Sequence, residues 1–237
     1  MAQLQRIVIA SSQLQPEQII LTSEQQHYLY RVLRLREGDR FIAMDGMGKW
    51  WLAQLAGAQA KILETLCVET ELPVAISLII ALPKGNAFDE VVRICTELGV
   101  ATIAPVVSDR TLLHPSPQKL ERWRRIAKEA AEQSERAIVP AILEPVSFSA
   151  AIASTTATHR YICEARGSYP HLKTAINEVS PTSQIVIAIG PEGGWTQTEI
   201  ENALDAGFQP VSLGKRILRA VTAPIVALSL ITAIYEV

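Results

Sequence analysis

The pattern of hydrophobic and polar positions divides the chain into two parts. In the first seventy residues, short apolar runs predict β-strands at 4–10, 40–45, 49–56 and 60–70. The glycine-bearing DGMG segment at 45–48 predicts a turn between two of these strands. One short helix, beginning near Ser23, interrupts the strands. This part is therefore predicted to be a small barrel or sandwich.

After Leu72 and Pro73 the pattern changes to an alternation of strands and helices. Strands are predicted at 75–82, 100–107, 159–163, 184–190 and 210–213. Helices are predicted from Asn86 to 98, from Pro117 to about Ala137, near 170–179, from Thr196 to Gly207, and from Thr222 onward. Such alternation is typical of an α/β domain with a mostly parallel sheet. We place the boundary between residues 72 and 73.

Composition and charge narrow the class of protein. A hydrophobic share of 49% with 19% charged residues excludes a disordered chain. The net charge of −2 excludes a polybasic protein but leaves room for a local basic face. The cysteines Cys67, Cys95 and Cys163 lie too far apart in sequence to indicate a disulfide framework or a zinc site. No apolar run reaches the ~18 residues of a membrane helix, and the N-terminal run is too short for a signal peptide. A cytoplasmic protein without metal is expected.

Three loops that follow predicted strands carry unusual residues. They are LPKGN at 82–86, IGPEGGW at 189–195 and LGKRILR at 213–219, and ligands of α/β sheets bind beyond the carboxyl ends of strands. The glycines of the second loop permit close approach of the backbone to a carboxylate, an adenine edge or a phosphate, although a plain tight turn is the alternative. In the third loop, cations flank Ile217 and Leu218. That pattern suits an adenine ring beside RNA phosphates, or simply a surface loop with an apolar anchor.

Several common catalytic and nucleotide-binding motifs are absent from the sequence. The chain has no GxxxxGK[ST], no GxGxxG between a strand and a helix, no GxSxG and no HExxH. The sequence therefore gives no indication of Walker-type nucleotide binding, dinucleotide binding, α/β-hydrolase chemistry or zincin chemistry.

Basic residues on two predicted helices are candidates for nucleic-acid binding. His27, Arg31 and Arg34 are spaced to share one face of the predicted helix 23–34, where a solvated face is an equal alternative. On the long helix, most charges fit i,i+4 pairs, but Glu132, Gln133 and Arg136 could project into a cleft.

Five blocks of the chain, taken in order, resemble a known family. They are HYLYRVLRLREGDRF, ALPKGNAFDEVVRICTELGV, EAAEQSER, IGPEGGWTQTEIENALDAGF and LGKRILRAVTA. They resemble the small-subunit (16S) rRNA uridine-N3 methyltransferases of the SPOUT superfamily. The resemblance implies a PUA-like RNA-binding β-barrel at 1–72 and a SPOUT methyltransferase domain at 73–237 with a C-terminal deep trefoil knot. It also implies a homodimer, S-adenosyl-L-methionine as cofactor, and small-subunit rRNA as substrate. The near-neutral net charge favours an assembled 30S particle as the form of that substrate.

The resemblance also implies roles for individual residues. Arg219, with Arg93, would be the catalytic charge near the reacting base. His27, Arg31, Arg34 and Arg136 would bind RNA, with Glu132, Gln133 and Arg136 forming an element that lines the cofactor cleft. The cofactor-binding residues would be Leu82, Ile189, Gly190, Pro191, Gly193, Gly194, Leu213, Gly214, Ile217 and Leu218.

One departure from the family pattern lies next to the third loop. Where the family commonly has LRxETA, this chain has Val221 in place of the acid. If that acid steers RNA or helps deprotonate the base, activity is weaker or retargeted here. If it only favours a helix N-terminus, its loss costs about 0.3–1 kcal/mol. We favour the second interpretation, because Thr222 can cap the helix and Pro224 fits its first turn.

The resemblance therefore implies S-adenosylmethionine-dependent methylation of N3 of a uridine in small-subunit rRNA. Arg219, together with Arg93, would stabilise negative charge on the uridine oxygens. A methyltransferase of the same fold acting on tRNA or another rRNA site is one alternative. A catalytically silent RNA-binding protein is the other.

Overall fold

The computed structural model describes residues 4–111 and 115–236 and divides the chain into two compact units. The first unit contains the chain up to Glu71 together with Ala131–Val139. The second contains Leu72–Ala130 and the chain from Pro140 onward. Among the described residues, no helix combines the length and the apolarity needed to cross a membrane.

The first unit is built on a five-stranded sheet in the order β1-β3-β4-β5-β2. Its strands are β1 (Arg6–Val8), β2 (Gln18–Ile20), β3 (Arg40–Met44), β4 (Trp50–Ala56) and β5 (Gln59–Leu66). All pairings are antiparallel except that of β1 with β3. The predicted strands are confirmed with shorter bounds, and β2 is an addition. The predicted turn at 45–48 joins β3 to β4.

The helix of the first unit differs from the prediction. Helix α1 (Ser23–His27) begins with a capping box between Thr22 and Gln25, but a π-helical turn (Tyr28–Val32) follows it directly. The predicted helix is therefore confirmed at its start, but it is α-helical only to His27 and ends at Val32. Leu29 is fully buried and neighbouring apolar side chains pack against the same core, a spacing that one α-helical face does not supply. Arg34 follows the turn with a φ of 58°.

The second unit is a parallel sheet covered by helices. The strand order is β12-β10-β11-β6-β7-β8, and β9 also pairs with β7. The strands are β6 (Ala75–Ala81), β7 (Thr102–Val107), β8 (Ala141–Ile142), β9 (Val146–Ser147), β10 (His159–Cys163), β11 (Gln184–Ile189) and β12 (Gln209–Val211). The helices are α2 (Ala87–Glu97), α3 (Pro117–Gln133), α4 (Phe148–Ser154), α5 (Leu172–Ile176), α6 (Gln197–Asp205) and α7 (Thr222–Tyr235). The predicted α/β class is confirmed, and β8, β9 and α4 are additions.

Helix caps in the second unit follow the prediction only in part. The capping box of Thr196 and Glu199 begins α6 as expected. Asn86 precedes α2 but makes no capping hydrogen bond through its side chain. Val221, not Thr222, is the N-cap of α7, and Pro224 lies in the first turn of that helix as predicted. The expected cap by Thr222 is therefore wrong, because this residue already has a helical position.

The strand order brings three carboxyl ends together. β10 lies between β11 and β12 and is parallel to both. Beyond β12, the amide of Ser212 donates to the Pro170 carbonyl (2.9 Å), and the amide of Leu172 donates to the Ser212 carbonyl (2.9 Å). The C-terminal segment therefore runs beside the chain that leads into α5. The deep trefoil knot itself stays a prediction.

Candidate active site

A cavity of about 350 Å³ lies at the carboxyl ends of β10, β11 and β12. Its walls come mainly from the loops that follow these strands, at 163–169, 189–195 and 213–220. The volume falls in the range of pockets that hold small ligands, about 300–1,000 Å³. The sheet therefore places its ligand site where the general rule for α/β proteins expects it.

The glycines of the 189–195 loop are required by the protein's own packing. A Cβ on Gly190 would lie 3.2 Å from the Trp195 ring, which is buried and stacks on Phe148 at 4.2 Å between centroids. Gly194 has a φ of 72° and donates its amide to the Pro191 carbonyl (2.9 Å). The sequence suggests that these glycines let the backbone approach a ligand. At Gly190, the group that lies close to the backbone is instead the indole ring of Trp195.

Neighbouring loops hold the 189–195 loop in place. Nη1 of Arg110 donates to the carbonyls of Gly193 (2.6 Å) and Trp195 (3.2 Å). Glu199, which is 5% exposed, accepts from the amide of Asp109 (3.0 Å) through one carboxylate oxygen and from the amide of Thr196 through the other. The backbone amide of Lys84 donates to the Glu192 carboxylate (3.0 Å). The loop is therefore fixed before any ligand binds.

The 213–220 loop offers backbone amides. No amide from Lys215 to Val221 has a hydrogen-bond acceptor within the described part of the chain. Ile217 is 72% exposed beside them. Unused amides next to apolar side chains suit the polar edge and the faces of an adenine ring.

Charged groups surround the cavity unevenly. Arg166 and Arg216 line it, and Lys215 and Arg219 lie in or beside the same loops; all four side chains are exposed. None of these four forms an ion pair or a side-chain hydrogen bond with a described residue. A negative charge is contributed by Glu164, which lines the cavity and is half-buried. Its carboxylate accepts a hydrogen bond from the amide of Arg166 (2.8 Å).

Cys163 also lines the cavity, but its thiol is not a nucleophile. Burial raises the pKa of the Cys163 thiol to about 12, and the Glu164 carboxylate contributes to the rise. The thiol is therefore protonated at neutral pH, where only a thiolate would attack. Within 4–111 and 115–236, no group of three or more His, Cys, Asp or Glu residues could hold a metal ion.

The structure brings together most of the predicted cofactor-binding residues. All of them line the cavity except Leu82, which is 1% exposed and donates its amide to the Val106 carbonyl. Arg219 lies on the 213–220 loop, exposed, without being part of the cavity wall. Arg93 is exposed on α2 and pairs with Glu97 at 3.2 Å.

The predicted RNA-binding residues lie in the first unit and fall into two groups. His27, Arg31 and Arg34 are all exposed. His27 lies on α1, Arg31 lies on the π-helical turn, and Arg34 follows that turn with a positive φ, so the three do not share one α-helical face. Arg136 differs, because it is 4% exposed and its Nη2 lies 2.6 Å from Oε2 of Glu71.

The segment around Arg136 does not line the cavity but belongs to the first unit. Glu132 accepts the amide of Val8 (2.6 Å), and the second carboxylate oxygen of Glu71 accepts the amide of Ile138 (3.0 Å). The expectation that Glu132, Gln133 and Arg136 line the cofactor cleft is therefore not met. The hydrogen bonds of Glu132 and Arg136 instead lie within the first unit.

Several cavity residues were missed from the sequence: Arg110, Cys163, Glu164, Arg166, Tyr169 and Trp195. A signal for most of them existed, because 164–169 follows the predicted strand 159–163 and Arg110 follows the predicted strand 100–107. Applying the strand-end rule to every predicted strand would have found both loops.

Comparisons with known families define the class of protein. A family model described as an RNA methyltransferase domain matches residues 70–232, and one described as an RNA methyltransferase PUA domain matches residues 21–65. The fold, the cavity and these matches define an RNA methyltransferase with an N-terminal PUA domain. The predicted PUA-like and methyltransferase fold classes are thereby confirmed.

Individual relatives narrow the family. A ribosomal RNA small subunit methyltransferase E from Synechocystis is 49% identical over 98% of this chain and 78% of its own length. The protein of that name from Bacillus subtilis is 30% identical over 90% of this chain and 88% of its own length. The structure of a third, from Neisseria gonorrhoeae bound to S-adenosyl methionine, is 31% identical, with a TM-score of 0.89 over 98% of both chains. This chain belongs to the ribosomal RNA small subunit methyltransferase E family.

Proposed function

We propose that this chain transfers the methyl group of S-adenosylmethionine to N3 of a specific uridine in small-subunit (16S) rRNA. The cavity at the ends of β10, β11 and β12 carries this proposal, because its donors fit the cofactor. The unused amides from Lys215 to Val221 suit the adenine edge, and Ile189 and Leu218 offer apolar contact to the ring. The Neisseria relative binds the same molecule.

The residues that would hold the cofactor are those that line the cavity on two loops: Ile189, Gly190, Pro191, Gly193, Gly194, Leu213, Gly214, Ile217 and Leu218. Bound there, the cofactor supplies a methyl group activated by a sulfonium. The protein's own contribution is to hold both loops rigidly, so that the reacting atoms meet in line. Leu82 supports the site from the core, because it is buried.

Arg219 is proposed as the catalytic cation. The N3 proton of uridine must leave, and the protonated Cys163 thiol offers no base for it. Arg219 is exposed, has no side-chain partner among the described residues, and follows the cavity residue Leu218 directly. Its guanidinium would stabilise the negative charge that develops on O2 or O4 of the base. Arg93 is proposed as an assisting cation, since its exposed pair with Glu97 is weak and exchanges easily.

RNA binding is proposed for the first unit. His27, Arg31 and Arg34 present exposed cationic or polar groups on one short segment. We do not retain Arg136 in this set, because its charge is buried against Glu71. N3 lies on the base-pairing edge, so the target uridine must be unpaired or flipped out. With a net charge of only −2, the chain depends on shape more than on charge, which favours an assembled 30S particle as substrate.

A homodimer is proposed from helix α7. Thr222–Tyr235 contains no charged residue, and Ile225, Val226, Leu230 and Ile234 remain partly exposed. A second copy of the chain would cover these side chains. The free cysteines fit the reducing cytoplasm, where ribosomal subunits of bacteria are assembled. In this proposal 1–72 is the RNA-binding domain and 73–237 the methyltransferase domain.

The experiment measures methyl transfer from labelled S-adenosylmethionine to small ribosomal subunits that lack the modification. Nuclease digestion and mass spectrometry then locate the product. A single 3-methyluridine in small-subunit rRNA supports the proposal. Methylation of tRNA or of another rRNA site supports the alternative enzyme, and cofactor-independent RNA binding without transfer supports the silent RNA-binding protein.

The role of Arg219 has its own test. Arg219→Ala should lower turnover about 10²–10³-fold, as removal of one charge-stabilising donor does, while cofactor affinity is kept. Lys215→Ala is the matched control, because Lys215 is an exposed cation of the same loop that is not assigned a catalytic role. Equal effects of the two substitutions would show that only the overall positive charge of the loop matters.

A further inference from the structure

Glu164 occupies a central place in the cavity. It follows β10 directly, and its amide donates to the Val211 carbonyl at the end of β12 (3.0 Å). Because β10 lies between β11 and β12, Glu164 lies between the two loops proposed to hold the cofactor. A ligand that spans both loops must pass over this residue with its middle part.

The charge of Glu164 is not neutralised by the protein. Its carboxylate accepts one hydrogen bond, from the amide of Arg166, and forms no ion pair with a described residue. The other cavity carboxylate, Glu192, is exposed and accepts the amide of Lys84. A half-buried charge is screened less by water than an exposed one. Burial is the main cause of the raised pKa of the neighbouring Cys163 thiol, and the Glu164 carboxylate adds to it.

We propose that Glu164 discriminates between the two charge states of the cofactor sulfur, and so favours S-adenosylmethionine over its demethylated product. This inference rests on the proposed function. In S-adenosylmethionine the sulfonium is the central atom between the adenosine and the amino acid, whereas the ammonium lies at one end. If the cofactor bound across the two loops, the central position of Glu164 would put its carboxylate nearer to the sulfonium than to the ammonium.

The discrimination follows from the charge balance of the reaction. In methyl transfer the carbon–sulfur bond breaks and its electron pair stays on sulfur, while N3 of uridine, having lost its proton to solvent, forms the new carbon–nitrogen bond. The sulfur thereby changes from a cation to a neutral thioether. The attraction to Glu164 is present before the step and absent after it, so Glu164 promotes release of the product.

The test measures binding to the full chain by calorimetry with three ligands of known charge. S-adenosylmethionine carries a sulfonium, sinefungin carries an ammonium at the same position, and S-adenosylhomocysteine is neutral there. The wild type should bind the two cationic ligands at least about tenfold more tightly than the neutral one. Glu164→Gln should remove this preference by weakening the two cationic ligands alone. Glu164→Asp, which keeps the charge, should retain most of it.

Glu192→Gln serves as the matched control, since it neutralises the exposed carboxylate of the same cavity and should change all three affinities alike. Circular dichroism and the unfolding midpoint establish that each variant is folded. The inference is overturned if Glu164→Gln weakens all three ligands equally or weakens none. If the wild type binds none of the ligands, the proposed function fails, and the inference fails with it.

Discussion

The buried pair of Arg136 and Glu71 allows a sharp test of what this arginine does. Its guanidinium donates to Oε2 of Glu71 through Nη2 (2.6 Å) and Nε (3.2 Å), and the two side chains are 5% and 22% exposed. Arg136→Met keeps the apolar stem and removes the charge, leaving Glu71 without its cation. Breaking a buried pair in this way costs about 3–5 kcal/mol. Because Glu71 keeps some contact with water, we expect about 3 kcal/mol, or a lowering of Tm by about 6–12 °C.

Urea unfolding followed by circular dichroism measures this loss, and binding to a small-subunit rRNA fragment is measured under conditions where the variant is folded. Arg31→Met is the control, because it is the same substitution at an exposed position of the same unit. It should weaken RNA binding and leave the unfolding midpoint nearly unchanged. Arg136→Met should do the reverse.

A double-mutant cycle separates the pair from its surroundings. The double variant of Arg136→Met with Glu71→Gln should cost about 1–3 kcal/mol less than the sum of the single variants, since the uncompensated charge is gone. The amide oxygen introduced by Glu71→Gln would still accept the backbone amide of Ile138, which Glu71 accepts in the wild type. The reasoning is refuted if Arg136→Met weakens RNA binding with an unchanged unfolding midpoint.

Further predictions concern the glycine loop and the thiols. Gly190→Ala should lower stability by about 1–3 kcal/mol and weaken cofactor binding, because its Cβ meets the buried Trp195 ring at 3.2 Å. Gly194→Ala meets nothing within 4 Å and should cost only the backbone strain of its φ of 72°, about 1–2 kcal/mol; equal loss of cofactor affinity in both would contradict this steric explanation. A maleimide at pH 8 should label the exposed Cys67 rapidly, the partly exposed Cys163 slowly because little of it is thiolate, and the buried Cys95 only after unfolding. Burial raises the pKa of the Cys95 and Cys163 thiols from 9.0 to about 12, so the stability they provide is complete below pH 9 and falls as the pH rises toward 12, which pH-dependent urea unfolding measures.

The fold of the second unit was largely predictable because its strands are long, continuous apolar runs. AISLIIA and QIVIAI each contain a single polar residue, too few for the polar face of a helix, and the predicted bounds differ little from those of β6 and β11. β8 and β9 have two residues each, so no periodicity exists from which to predict them. Helix α4 (FSAAIAS) is short and rich in alanine, and its cap Ser147 is a weak signal without a longer apolar pattern.

The candidate site was predictable where it depends on single loops and not where it depends on contacts between them. Glycine content identified the 189–195 loop, but the hydrogen bond from Arg110 to Gly193 joins positions far apart in sequence. The 164–169 loop lacked glycine-rich or basic clustering and was overlooked for that reason. Arg136 is a cleft and RNA-binding candidate by its place in a charged segment, and nothing in the sequence indicates its partner, Glu71, which lies 65 positions earlier.

The first unit is built from two segments that are far apart in the sequence, and this affects how it folds during synthesis. The turn between β3 and β4 pairs with the later segment, through bonds from the amide of Gly48 to the Ala137 carbonyl and from the amide of Val139 to the Gly46 carbonyl. A ribosome translates the chain from its N-terminus at about 5–20 residues per second. Several seconds therefore pass between the synthesis of Glu71 and the synthesis of Ala131–Val139, the segment that completes the first unit. During that interval its β3–β4 turn is unpaired, and the segment that completes it is translated only after part of the second unit.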